Sequence, residues 1–412
     1  MKKIILILFV ACSSVQITKQ QNLQYSPVIY DSRWCHDYQD LTYEYRTSIY
    51  NFNLQLLKSI GVRSNLNSVF SPISIWIMVA AIAEGADPLT QQKLFQLLSL
   101  PNDPCTRQVY YQLATTRVHP SNDVDIKNTR VWLIDDGATL SPTWYDIVVK
   151  NSLLEVVRVP IRYDPVATAN EIKRIMSSHL PGLNLSGNSV LLDTMDYNGL
   201  WTTAFADAVI ERAPFYNLQG AAIGAVDIMR VQRRARMGYH EKLRAKIIEL
   251  PVGSDERYRM LFGMTIGNSD LKSVISVFNV DHVFELIESL RPSLVLLDVA
   301  IPRMVITSEI DMRVILEDLA VNELWTDPAV TRYISNPPAL PTSFVQRATL
   351  VLNNTGLEYA SPEPESTGRT YTGLNPILGR DFIADRPFMF GLFDAKTWSC
   401  LMATAYTQPT YI

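Results

Sequence analysis

Histidine and cysteine are scarce: five and four in 412 residues, the histidines scattered at His36, His119, His179, His240 and His282. Metal sites need ligands in closer clusters than these, so no metal is expected. There is no Gly-x-Ser-x-Gly elbow, no Walker loop and no Gly-x-Gly-x-x-Gly fingerprint. Those absences argue against the common nucleophile elbow and against phosphate or dinucleotide cradles, so neither an enzyme nor a cofactor is expected. Net charge is −4 without a long block of one sign, which disfavours nucleic acid as a partner. The apolar runs are short, and none reaches the length a bilayer-spanning helix needs. No membrane partner is expected, and the chain is read as a monomer.

What is present begins with Met-Lys-Lys, the apolar run Ile4–Ala11 and Cys12-Ser-Ser14. This is the form of a secretory signal peptide over residues 1–14, followed by an extension over 15–40. Phe9-Val-Ala-Cys12 also loosely matches a bacterial lipoprotein cleavage site, an alternative that stays open. Removing the signal leaves Cys35, Cys105 and Cys400, so at most one pair forms. Cys400 sits in an apolar run, where a thiol behaves as a small hydrophobe; Cys35 and Cys105, in polar surroundings, are the expected pair. Asn184-Leu-Ser and Asn353-Asn-Thr fit the glycosylation acceptor pattern.

Further on, Tyr45, Ile49, Phe52, Leu56 and Ile60 follow helical spacing, with Gly61 as the expected stop. Ser71-Pro72 is a helix start, with Ser71 as cap, and the helix it opens is apolar all round, hence buried. Strands are expected at Val124–Leu133 and Leu153–Val159, and helices at Ser141–Val149 and Ala167–His179. Ala348–Leu352 and Phe388–Phe393 read as buried strands. Between them lie about thirty residues rich in Gly, Pro, Ser, Thr and Glu, and a loop that long inside a compact domain is usually functional or disordered.

These segments together resemble the serpin family. Asn67, Ser71, Pro72, Ser74 and Ile75, then Gly85, Ala86 and Thr90, with Gln92 or its neighbour at the last position, resemble its N-x-x-x-S-P-x-S-I and G-A-x-x-x-T-x-x-Q strings. Gly199, Trp201, Phe205 and Phe215 follow, then Ala245–Pro251, Ala300–Arg303, Phe382-Ile-Ala-Asp-Arg-Pro-Phe388 and a closing Pro409, in family order over roughly residues 45–409. The resemblance implies a single α+β domain over 41–412, with nine or so helices, three β-sheets and an exposed reactive-centre loop at about 354–381. It also implies a polar shutter beneath the main sheet. Asn67, Ser71 and Ser74 match that shutter, while Asp193 and Gln346 stand where the family has Asn and His. Trp201 belongs to the breach above it. There, Asn354 replaces the family's Glu opposite a basic residue, here Arg303, so a charge-assisted pair is lost.

Family inhibitors trap a protease by inserting the cleaved loop into the main sheet as a new strand. Their hinge reads Gly, Thr or Ser, Glu, then small residues. Gly356 and Glu358 keep their places here, but Leu357 and Tyr359 do not match, and Pro362 and Pro364 follow. Proline cannot donate to a ladder and is confined to strand edges, starts and bulges. Period-two alternation puts Leu357, Tyr359, Ser361, Glu363 and Glu365 on one face, the face the family buries. The expectation is therefore a secreted serpin-fold protein that has lost the trap. The alternative is an active inhibitor of an extracellular trypsin-like serine protease, with Arg369-Thr370 as bait. A further open reading concerns Arg233, Arg234 and Arg236, with Arg230, Lys242, Arg244 and Lys246 nearby: either a polyanion site or a solvated strand face.

Overall fold

The computed structural model describes residues 40–63, 67–116, 121–177, 183–203, 205, 209–255, 257–267, 270–358 and 381–410. Its helices in chain order are α1 (Thr42–Arg63), α2 (Pro72–Ala83), α3 (Pro88–Leu97), α4 (Pro104–Thr116) and α5 (Pro142–Lys150). They continue with α6 (Pro165–Met176), α7 (Leu271–Val277), α8 (Val280–Ser289), α9 (Met312–Asp318) and α10 (Glu323–Thr326). A seven-stranded sheet runs β1 (Ser68–Phe70), β19 (Cys400–Tyr406), β18 (Phe388–Asp394), β10 (Tyr258–Thr265), β9 (Ala245–Val252), β8 (Arg236–His240) and β11 (Arg291–Pro292). A four-stranded sheet holds β17 (Asp381–Ile383), β12 (Leu297–Pro302), β7 (Ala222–Arg233) and β6 (Val209–Tyr216). The main sheet has six strands: β13 (Met304–Asp311), β15 (Pro341–Leu352), β16 (Gly356–Glu358), β5 (Ser189–Leu200), β2 (Val124–Asp135) and β4 (Glu155–Val159). A small ribbon pairs β3 (Thr139–Leu140) with β14 (Ser335–Asn336).

α2 is the element on which the packing turns. Ser71 caps it, Pro72 occupies its first turn and every residue from Pro72 to Ala83 is buried, as its all-round apolar sequence requires. It packs against α1, β19, β2 and β5, so it lies under the main sheet. α1 presents Tyr45, Ile49, Phe52, Leu56 and Ile60 to the same core, as their spacing predicts. It continues past Gly61 to Arg63; Ile275 of α7 lies against Gly61, and this neighbour supports the turn that glycine alone would end.

The main sheet is buried on both faces. Along β5, Leu191, Met195 and Tyr197 join the α2 core. Val190 and Leu192 join a second cluster with Ile172 and Met176 of α6 on the opposite face. This is the period-two geometry of a central strand, and it puts odd-numbered residues of β5 on the α2 side.

Candidate functional site

The site is the seam between β15 and β5 and the hinge above it. The two strands pair in parallel from Phe344 opposite Leu191 to Thr349 opposite Asp196. Over this length the sheet is closed, and any inserting strand has to part these partners.

A polar cluster under the seam holds it shut. Asp193 of β5 is fully buried. It accepts a hydrogen bond from Ser74 Oγ of α2 at 2.6 Å and one from Gln346 Nε2 of β15, across the seam. The same Gln346 amide donates to the Ser71 carbonyl at 3.1 Å and accepts from the Ser71 amide at 2.9 Å. Ser71 Oγ donates to the Leu401 carbonyl at 2.7 Å. α2, β5, β15 and β19 are therefore tied at one point.

β2 adds two members that were not anticipated. Asn128 Nδ2 donates to Ser74 Oγ at 2.9 Å, to the Thr194 carbonyl at 3.0 Å and to Asp193 Oδ1 at 3.2 Å. Arg130 stands directly opposite Asp193 in the β2–β5 pairing and donates to Asn128 Oδ1. It also donates to the carbonyls of Leu153 at 2.6 Å and Ser152 at 3.1 Å. They share the face of Ile126, Trp132 and Ile134, which line the α2 core. Two polar residues on the inward face of an apolar strand were the signal that could have found them. Burial lowers Arg130 to about 10, with Asp193 pulling the other way. Burial likewise pushes the Asp193 carboxyl up from its ordinary value; Ser74, Gln346, Arg130 and Asn128 oppose that rise.

One expected shutter residue stands elsewhere. Asn67 accepts from the Thr407 and Gln408 amides at 2.7 and 3.0 Å and donates to the Gln408 carbonyl at 2.8 Å. It therefore fastens the end of the chain to the start of β1 rather than joining Asp193, because its side chain points along the backbone that follows β19.

The hinge turns sharply after β15. Asn353 Oδ1 accepts from the Thr355 amide at 2.9 Å, Thr355 Oγ1 at 2.7 Å and the Gly356 amide at 3.0 Å, an Asx-type turn. Trp201, at the top of β5, grips it. Its amide donates to the Thr355 carbonyl at 3.0 Å and its indole to the Asn353 carbonyl at 3.0 Å. The Phe205 amide reaches the Asn354 carbonyl at 2.9 Å. The chain then reverses as β16 and pairs antiparallel with both neighbours: Leu357 opposite Leu352 on one side and Gly199 on the other. Three hinge residues are thus already in the sheet. The turn leaves Gly356 facing β5, where only glycine fits. A Cβ there would stand 2.0 Å from the Gly199 oxygen. Beside the hinge, Arg303 Nε is buried without a hydrogen-bond partner, in keeping with Asn354 where the family has a carboxylate. Tyr359, Pro362, Arg369 and Thr370 lie outside the described residues.

Part of the basic stretch is engaged within the fold. Arg230 pairs with Asp298, and Arg236 pairs with Glu249 at 2.8 Å. Arg233 lies over the Phe205 ring and donates to the Thr203 carbonyl at 3.1 Å, while Arg234 is exposed. Cys105 is disulfide-bonded and Cys400 is free and buried; Cys35 lies outside the described residues. Asn184 is exposed and Asn353 half-buried.

A model of the family described as Serpin (serine protease inhibitor) matches residues 47–409, and the chain belongs to that family. Serine protease inhibitor 2 of Anopheles gambiae is 22% identical over 385 residues, spanning 87% of this chain and 91% of that protein. A serpin-like protein of Methanosarcina mazei is 22% identical over 369 residues, spanning 84% and 82%. Among solved structures, mouse protein-Z dependent protease inhibitor superposes with a TM-score of 0.76 at 17% identity, over 92% of this chain and 100% of that one. The α+β architecture is the serpin fold.

Proposed function

We propose that this protein is a secreted serpin that does not complete loop insertion and so does not trap proteases. The observation that carries the reading is the register of β16. Gly356 faces Leu200 and Glu358 faces Val351. Continued residue by residue, the same register brings Glu363 opposite Asp193 on one side and Gln346 on the other. Opposed residues of an antiparallel pair share a face, and here that face is the buried, α2 side. A second carboxylate would then press against Asp193 and displace the Gln346 amide from it. Burying an unpaired carboxylate costs several kcal/mol even after relaxation. Pro362 would fall opposite Thr194 and Arg347, and Pro364 opposite Leu192 and Val345. Each leaves a ladder carbonyl unmet, at about 1–3 kcal/mol.

The second reading, an inhibitor of trypsin-like serine proteases with Arg369-Thr370 as bait, is favoured by β16 itself, since the first step of insertion is already made. One experiment separates them. The protein is incubated with trypsin, then examined for a covalent complex and melted before and after loop cleavage. The expected outcome is cleavage without a complex and a melting temperature within a few degrees of the intact protein. A stable complex, or a rise of tens of degrees, would establish the inhibitor. Export rests on residues 1–14, and N-terminal sequencing that begins at Met1 would refute it. A disulfide between Cys35 and Cys105 fits the oxidising compartment that export implies.

A further inference from the structure

A cavity lies far along the chain from the hinge, where α3, α4 and α5 begin and the turn Pro328–Thr331 ends. Its volume of about 510 Å³ falls within the range of small-molecule sites. The floor is an ion pair, Arg107 Nε to Glu84 Oε1 at 2.7 Å. The Tyr111 hydroxyl donates to the same Glu84 oxygen at 2.6 Å, and Arg107 Nη1 donates to the Asn102 carbonyl at 2.7 Å. The floor is therefore polar, and the charges of Arg107 and Glu84 offset each other.

The walls are flat and apolar: Phe95, Trp144, Ile147 and Tyr333. They are held in advance of any ligand. Trp144 spends its indole hydrogen on the Ala81 carbonyl at 2.8 Å and stands edge-on to Trp132. A Cβ on Gly85 would meet Trp144 Cδ1 at 2.6 Å, so the ring sits flush against the backbone of α2.

Charge at the mouth is of one sign. Arg332 is exposed, with its guanidinium 4.8 Å from the Tyr333 ring centroid. Among the described residues no carboxylate stands within ion-pair distance of it. The nearby Asp87 and Asp103 spend oxygens on helix starts, accepting from Thr90 and Thr106 amides respectively, and neither lines the cavity. Beside that ion pair, Arg332 places a positive charge at the mouth.

We infer that this cavity binds a small organic anion with a flat apolar body, the anionic group on Arg332 and the body between Trp144, Phe95 and Tyr333. A guanidinium backed by an aromatic ring suits a carboxylate or sulfonate, and a rigid apolar slot suits a ring system that loses little freedom on binding. The inference does not depend on whether the loop inserts.

The test titrates the full-length protein with anilinonaphthalene sulfonate, an aromatic sulfonate whose fluorescence rises in apolar surroundings. The parent is compared with Arg332→Glu, Arg332→Lys and Leu57→Trp, each checked for an unchanged melt. Leu57 lines a separate, almost wholly apolar cleft between α1 and α8 and serves as the control. Arg332→Glu should weaken binding by about tenfold or more, the loss of one charge-assisted bond. Arg332→Lys should retain part of the affinity and Leu57→Trp all of it. No binding to the parent, full affinity in Arg332→Glu, or loss confined to Leu57→Trp would each overturn the inference.

Discussion

Replacing Asp193 tests the description of the seam most directly. In Asp193→Ala, Gln346 Nε2 still has the Ser71 carbonyl and Asn128 Nδ2 still has the Thr194 carbonyl. Only the Ser74 hydroxyl loses its acceptor outright. The expected destabilisation is therefore about 3 kcal/mol, the upper end for one unmet buried donor, and not the sum of three bonds. Asp193→Asn separates charge from shape. Burial raises the folded carboxyl above its ordinary 3.8, so above that pH the folded state holds a proton that the unfolded chain has released. Stability then falls as pH rises from 3.8 through the raised folded value, and the asparagine variant lacks this component. The assay is urea unfolding of parent and Asp193→Asn across that window. The stability of the parent relative to the variant should decline as pH increases. A relative stability that grows with pH would mean that Arg130 and the amide donors outweigh burial, and would refute the reasoning.

Three further outcomes are expected. Gly356→Ala should expel β16, because its Cβ would stand 2.0 Å from the Gly199 oxygen; hydrogen exchange at the Trp201 and Phe205 amides, which bond the hinge, should speed up. Cys400, pushed up to about 12 by burial, should ignore a thiol reagent at neutral pH until the protein is unfolded, and fast labelling of the native state would contradict its placement. Arg107→Met should cost about 3–5 kcal/mol by removing the charge that offsets the buried Glu84 carboxylate. Adding Glu84→Gln should recover part of that loss in denaturant melts, and additive losses would show that the two groups are not coupled.

Much of the framework was legible in the residues. Tyr45 to Ile60 repeat with the helix period, Ser71-Pro72 announces a start, and α2 is apolar on every side; all three express interactions within a turn or two of chain. Gly61 misled because the residue that sustains the helix there, Ile275, lies far away in sequence. The polar cluster was half visible: Ser71, Ser74, Asp193 and Gln346 meet, whereas Asn67 binds the chain end, and Asn128 and Arg130 came from β2 unannounced.

Local pattern alone determined which residues form each element and which face of a strand is buried, since both follow from backbone periodicity. Only the tertiary structure decided which strands share a seam, that three hinge residues already lie between β15 and β5, and the register of β16 from which the approach of position 363 to Asp193 is extrapolated. Register is set by a sharp turn at Asn353 and by the grip of Trp201 from another strand. A shift of one residue would turn Glu363 to the opposite face, a difference that no property of the loop's own sequence records.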